Sequence, residues 1–282
     1  MYSVPPATRT RILPELPEVE TSRRGIAPWL VGKQIQSVIV RDRRLRWPVP
    51  EGIERQLSGQ TIRALRRRAK YLLFDTDGGT ALLHLGMSGS VRIIDHDEPA
   101  AKHDHIDIQL ATGKAMRFRD PRRFGSFLWA DKADEHPLLK FLGPEPLADD
   151  FDGDYLWNAA RGRRVSIKPF IMNASVVVGV GNIYASESLF GAGIHPKRRA
   201  DRIARARMIL LADTIKNVLA QAIKAGGTTL RDFHGSDGEP GYFQQSLDVY
   251  GRDNKPCNNC GTPVTVVTLG QRSTYYCKNC QR

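Results

Sequence analysis

The stretch Pro14-Glu15-Leu16-Pro17-Glu18-Val19-Glu20-Thr21 decides how this chain is read. Locally it has the features of a helix start. Pro17 suits the first turn, where a missing N–H costs little, and Glu18 and Glu20 complement the positive helix end. Gly32 suits the stop, so the pattern predicts a helix over Glu18–Val31. Pro14 carries a second meaning. Inside the chain, after Leu13, its nitrogen is a tertiary amide without a nucleophilic lone pair. At a chain terminus the same atom would be a secondary amine. A free α-amino group has a pKa of about 7.7–8.0, so part of it is neutral and nucleophilic near neutral pH. Its condensation product with a carbonyl carbon is an iminium, cationic without a proton and therefore an electron sink. A helix start is a good platform for such a terminus.

Outward from this helix, Gln34 to Ala130 reads mostly as strands. Ile106-Asp107-Ile108-Gln109-Leu110 alternates with period two, and Tyr71–Asp75, Ala81–Leu85, Val91–Ile94 and Phe127–Ala130 are short apolar runs. Asp77-Gly78-Gly79 and Thr112-Gly113 supply the turns. Short strands with frequent turns predict an antiparallel sandwich or barrel. Residues 131–146 lose the alternation and carry three prolines, which places a linker there. Beyond it the pattern is helical. Asp154–Arg161 is short, and Arg202–Ala225 carries Ile203, Ile209, Leu210, Ile215, Val218, Leu219 and Ile223 as a core-facing stripe. The loop from Gly226 to Gly241 has five glycines and the freedom to close over a ligand. The chain is thus divided into an extension over 1–13, a β domain over 14–130, the linker, a helical domain over 147–250 and a terminal unit over 251–282.

A hydrophobic content of 41% in 282 residues supports real cores, and no apolar run approaches a membrane span. The formal charge of +12 argues for a polyanionic partner. The arginines cluster, as Arg41, Arg43, Arg44 and Arg46, then Arg63, Arg66, Arg67 and Arg68 with Lys70. Such runs are often solvated faces, yet the interleaved tryptophan and glycine motifs favour nucleic acid. All four cysteines fall in the last 26 residues as Cys257-x2-Cys260-x16-Cys277-x2-Cys280, with hairpin strands expected at Val264–Thr268 and Ser273–Tyr276. This is four-thiolate zinc spacing, and one structural Zn2+ is expected. The alternative of two disulfides needs an oxidising compartment, whereas residues 1–13 have no apolar secretory core. That leading segment has two arginines and no acidic group, and three readings compete: a disordered tail, a processed leader, or an early start codon. The last is preferred, because some leucine codons serve as bacterial starts and trimming there would free Pro14.

Gly179-Val180-Gly181-Asn182 precedes a helical stretch, Ile183–Phe190. Two glycines allow close backbone approach, and free amides at a helix start bind phosphate well. Asn182 would either cap that helix or donate to the phosphate. His103-Asp104-His105 lacks a credible further metal ligand, so a backbone contact or strand edge is preferred there.

In order along the chain, the Pro14–Thr21 run, Arg67-Arg68-Ala69-Lys70-Tyr71, His84-Leu85-Gly86-Met87-Ser88-Gly89 and Asp120-Pro121-Arg122-Arg123-Phe124-Gly125 resemble the formamidopyrimidine-DNA glycosylase family. So do Val178 to Glu187, Gly226-Gly227-Thr228-Thr229 and the four-cysteine finger, and coverage runs from Pro14 to Arg282. The resemblance implies an α+β fold: an N-terminal antiparallel β-sandwich flanked by helices, a helical domain with a helix–two-turns–helix element, and a zinc-finger hairpin. It implies a monomer that binds damaged double-stranded DNA, without a membrane, in the nucleoid-associated cytoplasm of a bacterium. The implied activity is removal of 8-oxoguanine and formamidopyrimidines, followed by β,δ-elimination through a Pro14 iminium. Glu15 would protonate the sugar ring oxygen, while Lys70 and Arg272 complete the catalytic set at the flanking phosphates. DNA contacts are carried over to His103, Lys168 and Asn182. Met87, Arg122 and Phe124 would fill the space left by an extruded nucleotide. Asn173 departs from an expected aspartate. Two alternatives stay open: the sister enzyme for oxidised pyrimidines, whose start differs, and a non-catalytic damage-binding protein if residues 1–13 remain attached.

Overall fold

A computed structural model describes residues 14–226 and 247–282 of the chain. The 1–13 extension and nearly all of the Gly226–Gly241 loop, with Gly227-Thr228-Thr229, lie outside the described residues.

Helix α1 (Leu16–Leu30) begins two residues before the predicted start, because Glu15 already serves as its N-cap. The Glu15 main-chain N–H donates to Glu18 Oε2 at 2.8 Å, half of a capping box. Leu16, Val19, Ile26 and Leu30 form its buried face. The strands that follow are β1 (Ile35–Val40), β2 (Ala64–Arg68), β3 (Tyr71–Thr76), β4 (Gly79–His84), β5 (Ser90–Asp95), β6 (Asp104–Leu110), β7 (Lys114–Arg119) and β8 (Ser126–Ala130), with a short helix α2 (Ile53–Leu57) between β1 and β2. They make two antiparallel four-stranded sheets, ordered β1-β6-β7-β5 and β2-β3-β4-β8. Val38, Leu72, Phe74, Leu83, Val91, Ile108, Phe118 and Phe127 meet between them as one core. This is the expected sandwich.

Strands β2 and β7 lack an apolar pattern for a physical reason. β2 reads Ala-Leu-Arg-Arg-Arg, yet Leu65 faces the core while the arginines find carboxylates. In β7 the same trick operates on a buried arginine: Arg117 donates to both oxygens of Asp107 at 2.8 Å. Strands β3 and β4 lose period two because both faces are covered. Ala133 and Leu139, from the region predicted as a linker, pack with Leu73, Leu82 and Ala130 on the outer face.

A second core is built by α3 (Gly153–Ala160), α4 (Ile167–Ile171), α5 (Asn182–Gly191) and α6 (Arg205–Gly226). The predicted stripe of α6 is partly corrected. Ile215, Leu219 and Ile223 are buried, whereas Ile209 and Leu210 are exposed at 38% and 47%. Gly153 explains the close crossing of α3 over α6, since a Cβ there would lie 2.3 Å from Ile209 Cα. The chain ends in a hairpin of β9 (Thr265–Leu269) and β10 (Arg272–Tyr276), whose turn residues Gly270 and Gln271 both have positive φ. Among the described residues no helix is long and apolar enough to cross a membrane.

The arginine clusters are also corrected. Arg41 pairs with Asp107, Arg43 with Glu54, Arg44 with Asp42, Arg63 with Asp77 and Arg66 with Asp75. Arg67 reaches Glu20 and Glu145, and Arg68 reaches Glu145. Most of these charges hold the protein together and are not free for a polyanion.

Glu20 generates a prediction. Burial opposes its ionisation, but bonds from Arg23 and Arg24 and the charges of Arg23 and Arg67 prevail, holding the carboxyl at about 2. A depressed folded-state value means that this stability is fully present above the unfolded pKa of about 4.5 and is lost as pH falls toward 2. Discounted for solvent screening, the contribution is on the order of 1 kcal/mol. Urea unfolding of Glu20→Gln should show lower stability at pH 7 and a shallower acid limb; parallel limbs would reject the assignment.

Candidate active site and nucleic-acid interface

The centre of the site is a carboxylate seated on a helix start. Glu15, only 2% exposed, accepts main-chain N–H bonds from Gly181 (2.9 Å), Ile183 (3.0 Å) and Tyr184 (3.4 Å) at the beginning of α5. Leu16 N–H donates to Gly179 O at 3.3 Å. The two glycines are required by this docking: a Cβ on Gly179 would lie 2.4 Å from Leu16 Cδ1, and one on Gly181 would lie 2.2 Å from Glu15 Cδ. Here the expectation changes. The α5 amides assigned to phosphate are taken by a carboxylate of the chain itself. Pro14, the residue before Glu15, is buried beside them.

Glu18 is the second acid. Its Oε1 accepts the Tyr184 hydroxyl at 2.6 Å, and its Oε2 the Glu15 N–H. Burial pushes the carboxyl up, the Tyr184 bond opposes this, and the nearby Glu15 charge adds to it.

Lys168 and Asn182 form the next layer, and their geometry differs from a surface contact. Lys168 is 1% exposed, and its ammonium donates to Asn182 Oδ1 (2.7 Å), Thr274 Oγ1 (2.9 Å) and Ser273 O (3.1 Å). All three protons are used inside the protein. Burial brings its pKa down to about 8, with Arg272 acting in the same direction and Glu15 against it. Asn182 Nδ2 donates to Ser273 O at 3.0 Å, and Gly181, not Asn182, is the N-cap of α5. The two side chains tie α4 and α5 to β10. Arg272 opens β10 at the hairpin tip, exposed, close enough for its charge to be felt at Lys168.

Lys70 lies in the two-residue turn between β2 and β3, after Ala69 with φ +54°. Glu145 holds that turn, accepting Ala69 N–H at 2.7 Å, and Arg67 donates to Ala69 O at 3.0 Å. Among the described residues the Lys70 ammonium has no hydrogen bond or ion pair. His84 stays neutral beside it, held at about 4 by burial and then by the Lys70 and Arg46 charges, and its Nδ1 accepts Gly86 N–H.

Met87 comes from the β4–β5 loop and Arg122 and Phe124 from the β7–β8 loop, and the fold brings these two loops into contact. Arg122 Cζ stands 4.8 Å from the centre of the Phe124 ring, and both residues are exposed. A Cβ on Gly86 would lie 2.4 Å from the Phe124 carbonyl carbon, so the loops touch through backbone. His103 has φ +77°, and desolvation, then the charges of Lys102 and Arg119, lower its pKa. His105 is buried and bonds Asp120 O at 2.8 Å through Nε2, in line with a structural histidine. Asn173 Oδ1 accepts from Ser175 N and Oγ, so the substitution keeps a local turn contact. Sequence reasoning passed over Asp120, Glu145, Tyr184 and Glu187. The last accepts Asp248, Val249 and Tyr250 N–H groups and secures the segment leading into the finger. The available signal was an acidic residue amid apolar or glycine-rich sequence.

Cys257, Cys260, Cys277 and Cys280 place their four Sγ atoms within 4.8 Å of one another. Measured pairs are 3.9 Å for Cys257–Cys280 and 3.5 Å for Cys260–Cys277. Tetrahedral Zn–S bonds of about 2.3 Å separate sulfurs by roughly 3.8 Å, so the donor set fits one zinc ion. It is a closed site of thiolates, hence structural. Cys260→Ser should lose bound zinc and weaken DNA binding. Unchanged metal content by inductively coupled plasma mass spectrometry would sink the assignment.

Comparison with known proteins agrees with this layout. Family models match as "Formamidopyrimidine-DNA glycosylase N-terminal domain" over residues 13–127, "Formamidopyrimidine-DNA glycosylase H2TH domain" over 142–234, and "Zinc finger found in FPG and IleRS" over 254–282. The formamidopyrimidine-DNA glycosylase of Stutzerimonas stutzeri (strain A1501) is 59% identical over 270 residues, covering 96% of this chain and all of the relative. A Lactococcus lactis Fpg structure, in complex with DNA containing an abasic site, superposes with a TM-score of 0.86 at 34% identity. A second from that organism, bound to FAPY-dG-containing DNA, gives 0.84 at 34%. Both cover 95% of this chain and all of the other. The chain belongs to the formamidopyrimidine-DNA glycosylase family.

Proposed function

We propose that this protein removes oxidised purines from duplex DNA in base excision repair and then cuts the strand at the abasic site, with Pro14 as nucleophile once it is terminal. The observation that carries the reading is the clamp on Glu15, which holds the residue after Pro14 rigidly against α5. The resemblance of the chain to enzymes solved on abasic and FAPY-dG DNA supports the substrate class.

The chemistry follows from the amine. The Pro14 nitrogen attacks C1′, and the glycosidic bond breaks with its electrons leaving on the base, which takes up a proton. Glu15 takes the proton that the attacking amine gives up and passes it to the ring oxygen as the sugar opens. The resulting iminium draws electrons from C2′, so a C2′ proton is lost and the 3′ phosphate departs by β-elimination. Loss of the C4′ proton then expels the 5′ phosphate. Lys70 and Arg272, whose side-chain cations have no hydrogen bond or ion pair among the described residues, hold the phosphates flanking the lesion, and His103 contacts the backbone. Lys168 and Asn182 act by fixing β10, and so Arg272, to α5. Met87, Arg122 and Phe124 fill the gap left by the extruded nucleotide. The working division of the chain is a catalytic sandwich over 14–130, a linker over 131–146, a DNA-binding helical unit over 147–250 and the finger, acting as a monomer in the bacterial cytoplasm close to the nucleoid.

Borohydride should trap a covalent complex between abasic DNA and protein beginning at Pro14, and none with the verified 282-residue chain. Trapping by the full chain would reject the terminal amine and point to a lysine. A second expectation separates wedge from clamp. Base extrusion costs a few kcal/mol, which a ready-made abasic site does not require. Arg122→Ala should therefore slow excision of an oxidised purine by about tenfold more than cleavage of an abasic site. Equal losses, with a salt dependence flattened by about one ion, would make Arg122 a phosphate contact.

A further inference from the structure

Asp120 has no role in the chemistry above, yet it is fully buried and its carboxylate lies where the two wedge loops meet. Oδ1 accepts the Ser88 hydroxyl at 2.6 Å, and Oδ2 accepts Gly125 N–H at 2.8 Å. Arg122 N–H is held from both sides, by Ser88 Oγ at 3.1 Å and Asp120 Oδ1 at 3.3 Å. Ser88 follows Met87 directly, so one hydroxyl joins the Met87 loop to the backbone of Arg122. The main chain of Asp120 continues the link. Its N–H donates to His103 O at 3.0 Å, and its carbonyl bonds His105.

Close backbone contact leaves the loops little independent movement. A Cβ on Gly86 would collide with Phe124, and one on Gly125 would lie 2.6 Å from His84 O. Arg123 adopts φ +57° with a full side chain, a conformation that persists only where surroundings over-determine it. Its Nη1 pairs with Asp42 Oδ2 at 3.2 Å.

We infer that Ser88 and Asp120 are positioning residues that couple Met87 to Arg122 and Phe124, so that the wedge enters the duplex as one preformed part. The inference rests on the wedge role proposed above. Filling the gap with side chains already held in place removes an ordering cost at the step where the base is pulled out. Ser88 acts through Arg122, which distinguishes it from a residue that merely stabilises the fold.

A double-mutant cycle tests this on zinc-loaded enzyme under single-turnover conditions. Ser88→Ala should slow excision of an oxidised purine by about tenfold, a loss typical of one hydrogen bond, with a smaller effect at an abasic site. Ser88→Thr, which keeps the hydroxyl, should restore excision. In an Arg122→Ala background, Ser88→Ala should add less than about twofold, because coupled residues are not additive. A 2-aminopurine next to the lesion should report slower extrusion for Ser88→Ala and Asp120→Asn alike. Additive losses, or equal losses on both substrates that follow a lowered thermal midpoint, would overturn the coupling while leaving the wedge in place. Undiminished excision by Arg122→Ala would overturn the wedge and the coupling together.

Discussion

Everything at the site depends on one carboxylate bound at one helix start. The N-terminal amides of α5 form an anion site, and Glu15 fills it from within the chain. That interaction joins the first helix to the second core beside the Tyr184–Glu18 bond and the packing of α1 on α6, since α1 belongs with the sandwich and α5 with the helical elements. It also explains both glycines of the Gly179-Val180-Gly181 run by close approach, which neither a capped helix nor a phosphate loop would require at those atoms. Pro14, being one peptide bond away, inherits this rigidity.

The distribution of charge follows from the same economy of space. Glu20, Glu145, Asp75 and Asp107 neutralise arginines whose sequence clustering suggests a polyanion surface. The Arg67 pairs bind sheet to helix and sheet to linker, and the Asp75 and Asp107 pairs join neighbouring strands. The net charge of +12 is then carried outward by cations that have no carboxylate partner among the described residues, Lys70, Arg122 and Arg272 among them. Local density of arginine therefore does not by itself mark an unpaired cationic surface.

Much of the fold was legible because apolar alternation over β6, short apolar runs over β3, β4 and β8, and turn chemistry between them agree. β2 and β7 were illegible because their arginines, exposed or half-buried in β2 and buried at Arg117 in β7, look like loop residues until Asp75, Glu20 and Asp107 on other elements supply partners. The finger was the most transparent part, since thiolate spacing is itself the constraint. At the site, Pro14, Glu15 and the cysteines declare themselves by position in short motifs. Lys168 carries no such signal: the resemblance assigns it to DNA, and only its burial against Thr274 and Ser273 shows where its protons go. Ser88 and Asp120 carry no periodic signal. Their meaning exists only after two loops meet.

Lys168 also accounts for why a finger at the far end of the sequence bears on chemistry at its beginning. A buried ammonium without acceptors would be costly, so its three partners are effectively obligatory. Two belong to β10, and the third, Asn182, is the first residue of α5, whose amides hold Glu15. Zinc keeps the hairpin folded, the hairpin satisfies Lys168, and the Lys168–Asn182 pair fixes the hairpin against the start of α5. Arg272 and Glu15 are thereby referred to the same short helix start. Under the proposed function, a phosphate held by Arg272 and a sugar approached beside Glu15 would therefore keep a fixed separation.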